Sequence, residues 1–78
     1  MTDIGERVSH VVASKLHIPP DRITEAATFA DDFAVTSLDM VETIMSLEEE
    51  FEIEISDREA EKLQTVGDVV SLVRRKTH

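Results

Sequence analysis

The sequence predicts an all-α fold: a four-helix bundle of three longer helices and one short helix, with a long loop between the first two. Three observations predict it. Apolar residues recur every three or four positions near the start, in the middle and at the end of the chain. Two capping boxes, Ser56-Asp57-Arg58-Glu59 and Thr65-Val66-Gly67-Asp68, mark helix starts in the C-terminal part. The alternating stretch Glu52-Ile53-Glu54-Ile55 is too short for a strand and has no partner, so it is expected as an extended connection. With 78 residues the chain has room for a single domain, assigned to 1–78.

The first helix is expected from about Ile4 to Leu16, with Ile4, Val8, Val11, Val12 and Leu16 on one stripe. Lys15 and His17 near its end suit the helix dipole, and Pro19-Pro20 cannot continue it. Residues 18–36 form the long connection. Ile23, Phe29 and Phe33 make it too apolar for a free linker, so it should pack onto the helices and hold a short helical turn. The second helix should start at Thr36-Ser37, with either as cap and Asp39 in the first turn, and run to about Phe51. The short helix follows the Ser56 box to about Lys62-Leu63. The last follows the Thr65 box to about Arg75, with Val66, Val69, Val70 and Val73 inward. Gly67 costs little in a first turn, and Arg74, Arg75 and Lys76 sit at the favourable end.

Charge narrows the function. Seventeen acidic residues stand against eight basic ones, for a net charge of -9. Nucleic acid and anionic membrane surfaces are poor partners for such a chain. Proteins with basic patches are good ones, because the field speeds their encounter. No apolar run is long enough to span a bilayer, and the first residues lack the basic start and apolar stretch of a secretory signal. The absence of cysteine removes disulfides and thiolate chemistry and fits a reducing compartment such as the cytoplasm.

Other signals are weak. His10 and His17 are seven residues apart on one expected helix face, too few ligands for a metal site, and His78 adds none. Asp31-Asp32 and Glu48-Glu49-Glu50 lack the spacing of a calcium loop. No constellation of base and nucleophile appears, so the chain is not expected to be an enzyme.

The second helix is more informative. At roughly 100° per residue, Met40, Ile44, Leu47 and Phe51 share the sector expected to face the core. Leu38, Val41 and Met45 form a second stripe, rimmed by Glu42, Glu48, Glu49 and Glu52. This stripe is either a widened core face or an exposed docking surface with an acidic rim.

The segment Phe29-Ala30-Asp31-Asp32-Phe33-Ala34-Val35-Thr36-Ser37-Leu38-Asp39-Met40-Val41-Glu42 resembles acyl carrier proteins. So do Leu47-Glu48-Glu49-Glu50-Phe51-Glu52-Ile53-Glu54-Ile55 and Ala60-Glu61-Lys62-Leu63-Gln64-Thr65-Val66-Gly67-Asp68-Val69, which extends the resemblance over nearly the whole chain. The resemblance implies the same four-helix bundle and a monomer that works with other enzymes. It implies that Ser37 matches the serine to which a phosphopantetheinyl transferase attaches 4'-phosphopantetheine from coenzyme A. The thiol of that arm carries an acyl group as a thioester. Acyl-transferring and acyl-modifying enzymes would dock through basic patches on Leu38, Asp39, Val41, Glu42, Met45, Glu48 and Glu49. Phe29, Ile44, Leu47, Phe51, Ile55, Ala60 and Leu63 match residues that line the acyl cavity, although core packing alone would account for each.

Three residues depart from the family pattern. Thr36 replaces the usual aspartate before the serine, which keeps a cap but removes a charge that contacts the transferase. Ala34 stands where many relatives have glycine, and Thr43 where an aliphatic residue usually faces the acyl cavity. The resemblance places the carrier in fatty acid synthesis or in specialised lipid or secondary-metabolite synthesis, and these three departures together suggest a specialised carrier rather than the housekeeping carrier of fatty acid synthesis. An unmodified acidic adaptor with the carrier fold, and a carrier of an amino acid or other non-fatty acid, remain as alternatives.

Overall fold

Three of the four helices begin on a reciprocal cap, in which a hydroxyl and a carboxylate satisfy each other's backbone N–H groups. In the computed structural model, which describes residues 3–77, α1 spans Ile4–Leu16, α2 Ser37–Phe51, α3 Asp57–Glu61 and α4 Val66–Lys76. The first two residues and His78 of the assigned 1–78 domain lie outside the described residues. Thr36 caps α2, Ser56 caps α3 and Thr65 caps α4, each paired with an acid three positions on. Asp3 precedes α1 without a side-chain cap bond. Residues Glu52–Ile55 form no strand, as expected.

α1 stops earlier than the prolines require. His17 turns left-handed at φ 56°, and its N–H closes onto the Ala13 carbonyl. His17 therefore leaves the helix, and the single face expected for His10 and His17 is not formed. α3 is shorter than expected: Lys62 is its C-cap, and Leu63 lies beyond it. Five residues cannot hold a helix by propensity, so the Ser56 box and its flanking anchors must define it. α4 runs one residue past Arg75.

α1 packs against α2 and α4. Val8 and Val12 of α1 meet Leu47 and Phe51 of α2 and Val66, Val69, Val70, Leu72 and Val73 of α4. The buried centre of α2 is Thr43, Leu47 and Phe51, whereas Met40 and Ile44 sit half-buried at its margin. The core sector is thus rotated toward Thr43. The Thr43 hydroxyl is satisfied, donating to the Asp39 carbonyl at 2.8 Å, so its burial carries no unpaired polar atom. Arg7 of α1 ties to the end of α2. Its guanidinium donates to the Glu50 carboxylate at 2.9 and 3.2 Å and to the Glu50 carbonyl at 3.1 Å. The same group lies 4.5 Å over the Phe51 ring.

The long connection is structured, with a 3₁₀ turn at Pro20–Arg22. Ala27 and Phe29 are buried in the core, and Phe29 meets Phe33 edge-on at 6.0 Å. Its backbone pairs with the start of α4: Phe29 N–H donates to Gln64, Val66 N–H to Ala27 and Gly67 N–H to Glu25, at 3.0, 3.0 and 2.9 Å. Thr28 and Thr65 form an antiparallel bridge there. A Cβ on Gly67 would lie 3.1 Å from the Glu25 carbonyl oxygen. Close approach of the loop, more than tolerance of a first turn, accounts for glycine at this position.

Candidate functional site

Ser37 is the first residue of α2, and its side chain faces solvent. Two local devices place it. In the first, Thr36 Oγ1 accepts from Asp39 N–H at 3.2 Å, while the Asp39 carboxylate accepts from Thr36 N–H at 3.3 Å. The threonine that replaces the expected aspartate therefore still forms a capping box, and the N–H groups of Ser37 and Leu38 stay outside it. In the second, the preceding loop closes on itself. The Asp32 carboxylate accepts from Thr28 N–H at 2.7 Å, and Val35 N–H donates to the Phe29 carbonyl at 2.9 Å. Ala34 takes φ 51° within that loop. A side chain in the left-handed region costs on the order of 1 kcal/mol, so the surrounding bonds must hold it there.

A groove of about 450 Å³ opens beside Ser37 between α2 and α3. Met40, Val41 and Ile44 line one side, and Asp57, Ala60, Glu61 and Leu63 the other. Of the seven residues expected at an acyl cavity, Ile44, Ala60 and Leu63 line this groove. Phe29, Leu47, Phe51 and Ile55 are buried in the core instead. Thr43 is fully buried and does not line the groove, and its hydroxyl is taken up by the Asp39 carbonyl. Sequence reasoning missed Met40 as a groove residue, because its spacing also fits the core. It also missed Asp57 and Glu61, whose one-turn separation on either side of Ala60 was the available signal.

The second apolar stripe is outward. Leu38, Val41 and Met45 are 67%, 52% and 55% exposed. Glu42 and Glu49 stand exposed around them. Asp39 is half-buried and engaged in the helix cap. Glu48 is half-buried too, and its carboxylate accepts from Ile55 N–H at 2.8 Å. One member of the expected rim thus fastens the connection that leads into α3.

α3 buries none of its residues. It is held by Ile55 and Leu63 on either side of it, and by an ion pair from Glu59 to Lys76 at 3.1 Å. The Ser56 N–H, with Lys76 second, holds the Glu59 carboxyl below its ordinary range. The N–H groups of Thr65 and Gln64 do the same for Asp68.

An exposed serine beside a groove with an apolar α2 wall suits a flexible arm bearing an acyl chain. The phosphodiester would sit in solvent at a helix start, where backbone N–H groups favour an anion. The arm supplies the thiol, and the groove is lined by no Lys, His or Cys that could attack a thioester. No helix among the described residues is long and apolar enough to cross a membrane, and no cluster of three metal-ligating side chains is found among them.

Known proteins agree with this arrangement. Residues 6–73 match the family described as "Phosphopantetheine attachment site". An acyl carrier protein of Caulobacter vibrioides is 51% identical over 77 residues, covering 99% of each chain. One from Phenylobacterium zucineum is 47% identical over 76 residues, covering 97% of this chain and 96% of its own. A solved structure described as a candidate acyl carrier protein from Mycobacterium tuberculosis superposes with a TM-score of 0.86 at 35% identity. It covers 94% of this chain and 97% of its own. With the four-helix fold, the exposed serine and the groove beside it, these matches show that the chain belongs to the acyl carrier proteins, non-catalytic carriers that work through 4'-phosphopantetheine.

Proposed function

We propose that Ser37 bears the phosphopantetheine arm, and that Leu38, Val41 and Met45 with Glu42 and Glu49 form the face presented to partner enzymes. The observation that carries this is the combination at one helix start: a solvent-facing hydroxyl, a first turn held by a capping box and an adjoining groove with an apolar α2 wall. Exposed apolar side chains inside an acidic rim fit partners with basic patches. These partners include the phosphopantetheinyl transferase and the acyl-transferring and acyl-modifying enzymes. Asp39 and Glu48 contribute charge to the same face while serving the fold. Ile44, Ala60 and Leu63 would shelter the acyl chain.

Incubation with coenzyme A and a broad-specificity transferase, followed by intact mass spectrometry, tests the attachment. Wild type should gain the mass of the arm and Ser37→Ala should gain none. A wild type that stays unmodified with several transferases would make the chain an unmodified adaptor.

The chain acts as a cytoplasmic monomer, and its cargo belongs to a specialised lipid or secondary metabolite rather than to bulk fatty acid synthesis. Thr36 supports that choice. It caps α2 without the charge that the family presents there, so the fold tolerates the change and the transferase contact bears it. A strain lacking this protein alone should still make bulk fatty acids, and arrest of that synthesis would sink the specialised assignment.

A further inference from the structure

The groove beside Ser37 has walls of different character. Met40, Val41 and Ile44 of α2 are apolar, whereas α3 contributes Ala60 between two carboxylates, Asp57 and Glu61. No Lys, Arg or His is among its lining residues. Lys62, next along the chain, is exposed and does not line it. On a chain of net charge -9, no cation in the groove offsets this pair.

We propose that the groove selects cargo by charge, admitting a neutral alkyl chain and turning away a chain that ends in a carboxylate, with Asp57 and Glu61 setting the selection. The inference rests on attachment of the arm at Ser37. An alkyl chain entering the groove exchanges water for Met40, Ile44, Ala60 and Leu63 and is stabilised by burial. A terminal carboxylate entering the same space loses hydration. It also meets two like charges, each worth roughly a fivefold penalty at contact distance in a water-like medium. A carboxylate-ended cargo therefore stays in solvent, where a partner enzyme reaches it without opening the protein. An alkyl cargo must be drawn out of the groove first. Two kinds of cargo on one carrier would then differ in availability before any enzyme discriminates between them.

The test loads the full chain with an octanoyl group or with the half-thioester of octanedioic acid, intact mass confirming each. The amide resonances of Ile44, Ala60 and Leu63 are compared with those of the protein bearing the arm alone. Octanoyl should shift all three. The acid-ended chain should shift them by less than roughly a third as much, as expected for two like charges at close range. Asp57→Asn combined with Glu61→Gln should restore most of the missing shift. Wild type in roughly 1 M NaCl, where charges are screened within about 3 Å, should recover part of it without any substitution. Equal shifts from both cargoes in low-salt wild type would overturn the proposal. So would an acid-ended chain that stays out of the double variant and out of high-salt wild type, since loss of hydration would then account for its exclusion alone. Octanoyl that left the three amides unmoved would overturn the groove as the acyl site. A chain that never gained mass would instead overturn attachment at Ser37.

Discussion

The two sides of α2 face opposite demands. Toward α1 and α4, Thr43, Leu47 and Phe51 are buried in a valine-rich core with every buried side-chain polar atom among the described residues satisfied. Toward solvent, Leu38, Val41 and Met45 are exposed, and α3, across the groove from Val41, has no fully buried residue. One helix thus spends one stripe on stability and leaves another free. A surface that receives partners repeatedly needs a rigid support and a low cost of contact. The first comes from close packing, the second from side chains that are not part of the core.

The contrast breaks most sharply at two leucines of the same helix. Leu47 has no exposed surface, so Leu47→Ala should cost about 2–5 kcal/mol, a large share of the roughly 5–15 kcal/mol of a small domain. Leu38→Ala should change stability by no more than about 0.5 kcal/mol, since Leu38 is 67% exposed. It should nonetheless slow modification by the transferase. Urea unfolding and transferase kinetics on the two variants measure both effects. Similar losses of stability from both would mean that the second stripe is core after all.

Within the acidic rim the same comparison holds on a smaller scale. Glu48 accepts a bond from Ile55 N–H, and Ile55 is buried. Glu48→Ala should therefore cost about 1 kcal/mol. Glu49→Ala, at an exposed carboxylate with no such bond, should stay within about 0.5 kcal/mol while weakening partner binding. Denaturation midpoints of the two variants decide whether Glu48 is structural as well as electrostatic.

The smallest effect concerns pH. Asp68 and Glu59 have folded pKa values below their ordinary ones. Their contribution is complete above the ordinary carboxylate range and is lost as pH falls through the lowered values. Asp68→Asn should therefore flatten the acid side of the stability profile and leave the profile's shape at neutral pH unchanged. An acid limb as steep as that of wild type, in melting temperature against pH, would show that the Thr65 and Gln64 N–H groups do not favour the charged form.

The helices and the place of Ser37 at the start of α2 were legible because their causes are local. Capping boxes, the 3.6-residue period and the Ser37 motif lie within a few positions of one another, and α2 begins and ends where they place it. What escaped depends on distant partners. The centre of the buried face moved to Thr43 because a threonine hydroxyl can bond to a carbonyl one turn back, which hydropathy does not register. Glu48 looked like surface because its partner, Ile55, lies past the end of the helix. Asp57 and Glu61 share a face with Ala60 in the sequence, but only α3 set opposite α2 makes that face a groove wall. The reason for Gly67 lay in Glu25, far away in sequence.

The bridge between Thr28 and Thr65 joins segments nearly half the chain apart, and the loop it anchors leads directly into Ser37. Closing so long a loop carries an entropic cost that must be met before its contacts form, which places the pairing late in folding. During synthesis the segment ahead of Ser37 has its own turn bonds, but its backbone pairing with α4 must wait until that helix has been made. The start of α4 is thus one of the supports of the loop that leads into Ser37. An enzyme that reads the ordered loop ahead of Ser37 would therefore act poorly on a chain that lacks α4.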